Sequence, residues 1–373
     1  MNRKRLLISR RAALLSGAAT AALAALPARA QGDGKAEFDR LVAAAKQEGA
    51  VAVGGGRDAS ARDFILKAWK KDFPDIEMQF TVAGGFNWPN QVRAERASGK
   101  YLWDVYLNGP NVLVYRMAQE GVFQDLLPAL VLPDLKDPKT WRRSFDDMFL
   151  DDEKRMFSFF ASVSTVWYHA NKVPPEKVKA QGLKLLLDPA YQGRIGWQDP
   201  RGGGPGANYA VMVEEILGRD ALKTIIVDQK SVFYDRQSQA TEAFIRGKCD
   251  ILLGIEISDL ETYRKAGVKF DVRPFGHDAK TAHLSISGSF LALFDKPPHP
   301  NAAKLLANWV LTRDVQKGYA EAYQWDSNRA DVAPISPPDQ QVVAGDKYIE
   351  PQQGRWLKRK AEVQEFIRTL RPS

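Results

Sequence analysis

The sequence predicts an α/β protein folded as two lobes, and three observations predict it. Strands and amphipathic helices alternate along the chain. The alternation breaks at a polar, proline-bearing stretch and then starts again. Of 373 residues the first thirty read as an export segment, and the 343 that remain exceed the roughly 250 to 300 residues at which single cores tend to split.

The export segment comes first. Arg3, Lys4, Arg5, Arg10 and Arg11 stand in the opening stretch with no acid among them, and an apolar run follows from Ala12 to Leu26. Ala28-Arg29-Ala30 offers small residues for cleavage after Ala30. The apolar run is shorter than the ~20 residues that span a bilayer. Ser9-Arg10-Arg11-Ala12-Ala13-Leu14 resembles the twin-arginine signal. A soluble periplasmic protein is expected. Six basic residues leave with this segment, so the formal charge falls from +8 to +2, with 47 Lys and Arg against 45 Asp and Glu. That near-neutral balance removes the case for a nucleic-acid partner. Cys249 is the only cysteine, which excludes an intrachain disulfide.

Phe38, Leu41, Val42 and Ala45 recur at helical spacing up to Gly49, and Val51 to Val53 follows as a strand. The loop Gly54 to Asp58 leads into a helix carrying Phe64, Ala68 and Trp69, which stops before Pro74. Ile76 to Val82 is the next strand, Gln91 to Ala97 a helix, Asp104 to Leu107 a strand, and Asn108 to Asn111 a loop before a helix to Gln119. Beyond Lys139, Met156 to His169 predicts adjoining strands. A second α/β unit then opens with the strand Arg194 to Trp197, the glycine-rich loop Asp199 to Gly206 and a helix from Asn208 to Leu217. It continues through a strand to Tyr234, a helix from Gln237 to Arg246 and a strand from Asp250 to Ile255. Strands at Gly267 to Pro274 and Leu284 to Phe294 precede a helical carboxyl-terminal region.

Loops at the carboxyl ends of such strands are where open α/β sheets bind ligands. Candidate ligand-binding residues on them are Arg57, Trp88, Asn108, Arg201, Gly204, Tyr234, Arg236 and Glu256, with Ser162, Ser164 and Thr165 on the strand between the units. Arg201 and Arg236 suit bidentate contact with carboxylate or phosphate oxygens, and the glycine-rich loop precedes a helix whose amino end favours an anion. The expected solute is therefore small, organic and anionic: a carboxylate, phosphonate or phosphate ester. The four histidines show no metal-ligand spacing, and no metal or cofactor is expected. Gly202 to Ala207 fits the dinucleotide pattern with Asp228 beyond it, so an exported NAD(P)-dependent oxidoreductase stands as a reading of another class.

Several stretches resemble the extracellular solute-binding proteins of ABC importers, in the type II periplasmic-binding branch associated with ferric iron, thiamine, phosphonates and sugar phosphates. They are Glu48-Gly49, Phe73 to Ile76, Leu187 to Ile195, Ile245 to Ile251, His299 to Leu305 and Arg329 to Val332. The resemblance implies a two-lobe periplasmic-binding-protein fold with a hinge and an interlobe cleft, no catalysis, and an inner-membrane ABC permease as partner to a monomer. A periplasmic sensor role uses the same frame. The lobe boundaries expected are 31–158 plus 256–293 for the first, and 159–255 plus 294–373 for the second. Iron-binding relatives use adjacent tyrosines. This chain has no Tyr-Tyr pair, and Tyr319 and Tyr323 stand one turn apart in a packed helix, so ferric iron ranks as the alternative ligand.

Overall fold

The computed structural model describes residues 34–83, 87–286 and 290–371. The expected export segment and its cleavage point lie outside them. A helix over 34–48 ends at Gly49, whose φ of +71° suits glycine. β1 (Ala50–Gly55) follows and pairs in parallel with β2 (Glu77–Val82) and β3 (Val105–Asn108). The helix Ala59–Asp72 crosses between β1 and β2, its amino end capped by Asp58, which accepts the Ala61 amide at 2.8 Å. Its buried Trp69 donates to the Ile76 carbonyl at 2.8 Å, so the helix and the entry to β2 are tied by one side chain.

The short strand β4 (Phe157–Ser158) runs into β5 (Phe160–Thr165) and β6 (Trp167–His169), which carry the chain from the first lobe to the second. There β7 (Ile195–Gln198), β8 (Val232–Tyr234), β9 (Ile251–Leu253) and β10 (Val272–Pro274) build a sheet in the order β10-β6-β9-β7-β8. The chain returns through β11 (Ala282–Ser285) to β12 (Phe290–Leu293), which completes the first sheet as β2-β1-β3-β12-β4. β11 and β5 pair antiparallel, with β13 (Asp326–Ser327) on the far side of β5. This three-stranded sheet joins the lobes.

The crossing points differ from those expected. Residues 256–274 stay with the second lobe, because Val272 pairs with His169 and packs with Leu260, Phe244 and Trp167. The helices Pro300–Val310 and Arg313–Tyr323, expected in the second lobe, pack in the first. Glu48 caps the former, accepting the Asn301 and Ala302 amides at 3.0 and 2.7 Å, and buried Asp104 at the start of β3 accepts the His299 amide at 2.7 Å. The Trp309 ring meets Trp69 edge-on at 5.2 Å. Only the last helix, Leu357–Leu370, returns to the second lobe, burying Val363 and Ile367 there. Short apolar strands and helices carry no mark of which sheet they join. Caps and pairing partners far along the chain decide it.

Candidate functional site

The second lobe builds a corner at the carboxyl ends of β7 and β9. A Cβ on Gly206 would stand 1.9 Å from the Gln198 carbonyl oxygen, and one on Gly254, where φ is +87°, would stand 3.1 Å from the Gly206 Cα. Glycine at both positions lets the start of the helix Pro205–Leu217 press against the two strand ends. Tyr209 on that helix is fully buried, its hydroxyl 2.8 Å from the Thr165 carbonyl and 2.7 Å from that of Ile255, donating to one at a time. The loop after β9 is thereby locked to the hinge strand β5.

Glu256 projects from this locked loop. Its backbone amide donates to Asp259 Oδ2 at 2.8 Å, and Gln237 donates to the same oxygen at 2.6 Å, joining the starts of two helices. Its Oε2 accepts the Ser164 hydroxyl at 2.5 Å. Ser162 and Ser164 lie opposite Ser285 and His283 across the β5–β11 pair, so these four share one face, while Ala161, Val163, Ala282 and Leu284 share the other. Burial pushes the Glu256 carboxyl up to about 7, Ser164 and Ser285 pull it down, and Asp259 adds repulsion. Tyr323 closes the arrangement from the first lobe. Burial raises its phenol, with Tyr319, then Asp58 of the first lobe and Glu256 of the second, adding to the rise. The half-buried Tyr323 ring is itself stacked on Trp325 at 5.7 Å.

The structure sorts the sequence-predicted residues. Ser162, Ser164 and Glu256 come together on the hinge face. Thr165 turns away, its hydroxyl 3.4 Å from the Thr281 carbonyl. Trp88 is core: its ring lies over Gly54 and 5.2 Å from both Trp103 and Tyr106. Asn108 ties strand ends, donating to the Ala83 carbonyl at 2.5 Å and accepting the Gly109 amide at 2.8 Å. Arg201 is spent on structure. It forks onto Asp199 at 2.7 to 3.1 Å, lies over Phe233 and donates to the Arg371 carbonyl at 3.1 Å, clasping the carboxyl-terminal helix. Gly204 takes φ +113°, and the helix start behind it is filled by Gln198 Oε1, which accepts the Gly206 amide at 2.6 Å. The glycine-rich loop thus spends the Gly206 amide, one of the helix-start donors that an anion or a dinucleotide would use, on Gln198.

Tyr234 is half-buried in a groove of about 360 Å³ on the outer edge of the second sheet, with Asp235, Arg246 and Lys248. Arg57 and Arg236 are exposed, one at the carboxyl edge of each sheet, and neither guanidinium pairs with another described residue. Sequence reasoning missed Ser285, placed Asp58 in a candidate loop without singling it out, and set Tyr323 aside as packed. The alternation of polar and apolar residues over 282–285 marks Ser285, whereas nothing local separates half-buried Tyr323 from buried Tyr319. Cys249 is buried, with its thiol pushed up to about 12, and is inert. Among the described residues there is no cluster of three or more His, Cys, Asp or Glu placed for a metal, and no helix long and apolar enough to cross a membrane.

Comparison with family models matches residues 54–317 to the bacterial extracellular solute-binding proteins. The chain belongs to that family. Its members are non-enzymatic and deliver small ligands to ABC permeases from outside the cytoplasm. Solved structures share the two-lobe fold. Iron-bound HitA from Pseudomonas aeruginosa superimposes with a TM-score of 0.63 at 19% identity, over 86% of this chain and 99% of that one. Ferric iron-binding protein A of Mannheimia haemolytica, in an open conformation, gives 0.63 at 16%, over 86% and 98%. A Trichodesmium protein in complex with iron and citrate gives 0.63 at 15%, over 87% and 100%. A search of curated proteins gives no match.

Proposed function

We propose that this solute-binding protein captures a small organic anion, a carboxylate, phosphonate or phosphate ester, where the hinge face, the Glu256 corner and the first-lobe loop after β1 meet, and hands it to an inner-membrane permease. The observation that carries the reading is the pair Arg57 and Arg236: one exposed cation at the carboxyl edge of each sheet, neither guanidinium pairing with another described residue. Arg236 also begins the helix Gln237–Ile245, so its charge adds to the positive end of that dipole. With its carboxyl pushed up to about 7, Glu256 is largely protonated below that pH and acts there as a hydrogen-bond donor toward an oxyanion. Lobe closure over the solute brings the two cations to bear together.

A second reading rests on Tyr323. A phenol is a hard oxygen donor of the kind ferric iron takes, the Asp58 and Glu256 carboxylates both act on this one electrostatically, and the structures described above include iron-bound proteins. A thermal-shift screen on refolded, ligand-stripped protein separates the two, with organic acids, phosphonates, sugar phosphates and ferric citrate as probes. A ligand at about 100 times its Kd stabilises by roughly 2.7 kcal/mol. A shift with an organic anion alone supports the first reading. A shift with iron, together with a visible phenolate-to-iron absorption that Tyr323→Phe abolishes, supports the second.

A further inference from the structure

We propose that residues 330–356 form a strap that sets the resting angle between the lobes, by anchors that alternate from one lobe to the other. This role holds whichever solute is captured. The strap leaves the first lobe where Asp326 Oδ1 accepts the Ile335 and Ser336 amides at 2.6 and 2.9 Å. It reaches the second where Asp346 accepts the Ala279 amide at 2.9 Å and the Tyr348 hydroxyl donates to the His277 carbonyl. It then joins the hinge itself: the Leu284 amide donates to the Ile349 carbonyl at 3.0 Å, and Tyr348 packs against Ala161, Val163, Ala282 and Leu284.

From there the strap goes back to the first lobe. Arg143 pairs with Glu350 at 2.6 Å, Tyr115 donates to the Gln352 carbonyl, Gln353 Nε2 donates to the Asp147 carbonyl at 2.9 Å, and the Gly354 amide donates to the Leu150 carbonyl at 2.8 Å. Gln352 also reaches the hinge, its Oε1 accepting the Ile286 amide at 2.8 Å. Arg359 then pairs with Glu215 of the second lobe at 2.7 Å. Only residues 355–358 lie between the Gly354 and Arg359 anchors. Rotation about β5 and β11 has to strain that joint or release an anchor, because a chain so short cannot follow a wide opening with both ends held.

The anchor built to give way is Arg143–Glu350. The two side chains are 10% and 8% exposed, and Arg143 Nη1 is buried with no hydrogen-bond partner. A buried ion pair returns little net stability against its desolvation, and an incompletely satisfied one returns less. Burial also holds the Glu350 carboxyl above its usual range despite Arg143.

The test measures the interlobe distance directly. Spin labels on Lys100→Cys and Lys265→Cys, exposed positions in the first and second lobes, report it without interference from buried Cys249. Pulsed dipolar spectroscopy on the ligand-stripped protein is compared with the same pair carrying Glu350→Gln, which removes the ionic first-lobe anchor, or Tyr348→Phe, which removes a second-lobe one. The expected result is a distance distribution shifted or broadened beyond the width of the parent's in at least one variant. Distributions unchanged in folded variants overturn the proposal. Should neither variant fold, hydrogen exchange of the parent protein decides: protection of residues 343–354 matching that of Leu284 and Ile286 supports the strap, and rapid exchange of the segment beside a protected hinge overturns it.

Discussion

Two turns stand side by side at the carboxyl edge of the second sheet, residues 199–206 after β7 and residues 254–259 after β9, and they use their polar groups in opposite ways. In the first, Arg201 is neutralised by Asp199, Gln198 fills the helix start, and Arg368 and Gln364 of the last helix cover the carbonyls of Arg201 and Gly202. Little capacity is left for a solute. In the second, Glu256 is held out of water against Ser164 and Ser285, with a carboxyl that burial keeps poised near neutrality, and a ring from the other lobe stands close by. The lesson concerns residual capacity: a turn rich in glycine and arginine is a binding site only when its donors are not already satisfied by the fold.

The sharpest way to break this contrast is at Gly206. Alanine there meets a backbone oxygen and not the end of a movable side chain, so Gly206→Ala should cost about 3 kcal/mol or more, read by urea unfolding. Arg201→Ala comes next. Losing charge-assisted bonds to Asp199 and the clasp on the last helix should cost about 2 kcal/mol of stability, while solute affinity of the folded protein is unchanged.

The pH dependence sharpens the other turn. Burial and nearby Lys360 hold His283 neutral down to about pH 3, whereas an unfolded histidine binds its proton near 6.5, so this group makes stability rise with pH between those values. Glu256 works in the opposite direction. It stays protonated up to about 7 when folded and ionises near 4.3 when unfolded, so its contribution falls across that window. The two slopes oppose each other from about pH 4.5 to 6.5. Glu256→Gln should unmask the histidine and give a stability that rises with pH by up to about 1.4 kcal/mol per unit there, measured by urea titrations at several pH values. Smallest in stability are Arg57→Ala and Arg236→Ala, each expected within about 0.5 kcal/mol because the side chains are exposed and pair with no other described residue.

Much of the frame was legible in the sequence. The alternation of elements gave both α/β units, and Ser162 and Ser164, spaced by two, share one face of β5, while Thr165, expected with them, lies on the other. Two kinds of information were not local. Lobe membership of Pro300–Val310 depends on Glu48, some 250 residues earlier, and on Trp69 packing against Trp309. The fate of Arg201 depends on a helix end at Arg371, 170 residues on, as well as on neighbouring Asp199. Residue type marked both Arg201 and Arg236 as anion ligands. Only their partners distinguish them.

The most direct test of the account takes the first organic anion that shifts the melting of the parent protein and measures its affinity by calorimetry for Arg201→Ala and for the double variant Arg57→Ala/Arg236→Ala. The account predicts parent-like affinity in Arg201→Ala and a loss of at least tenfold, about 1.4 kcal/mol, in the double variant. Affinity lost in folded Arg201→Ala but kept in the double variant would return the site to the glycine-rich turn and contradict the account.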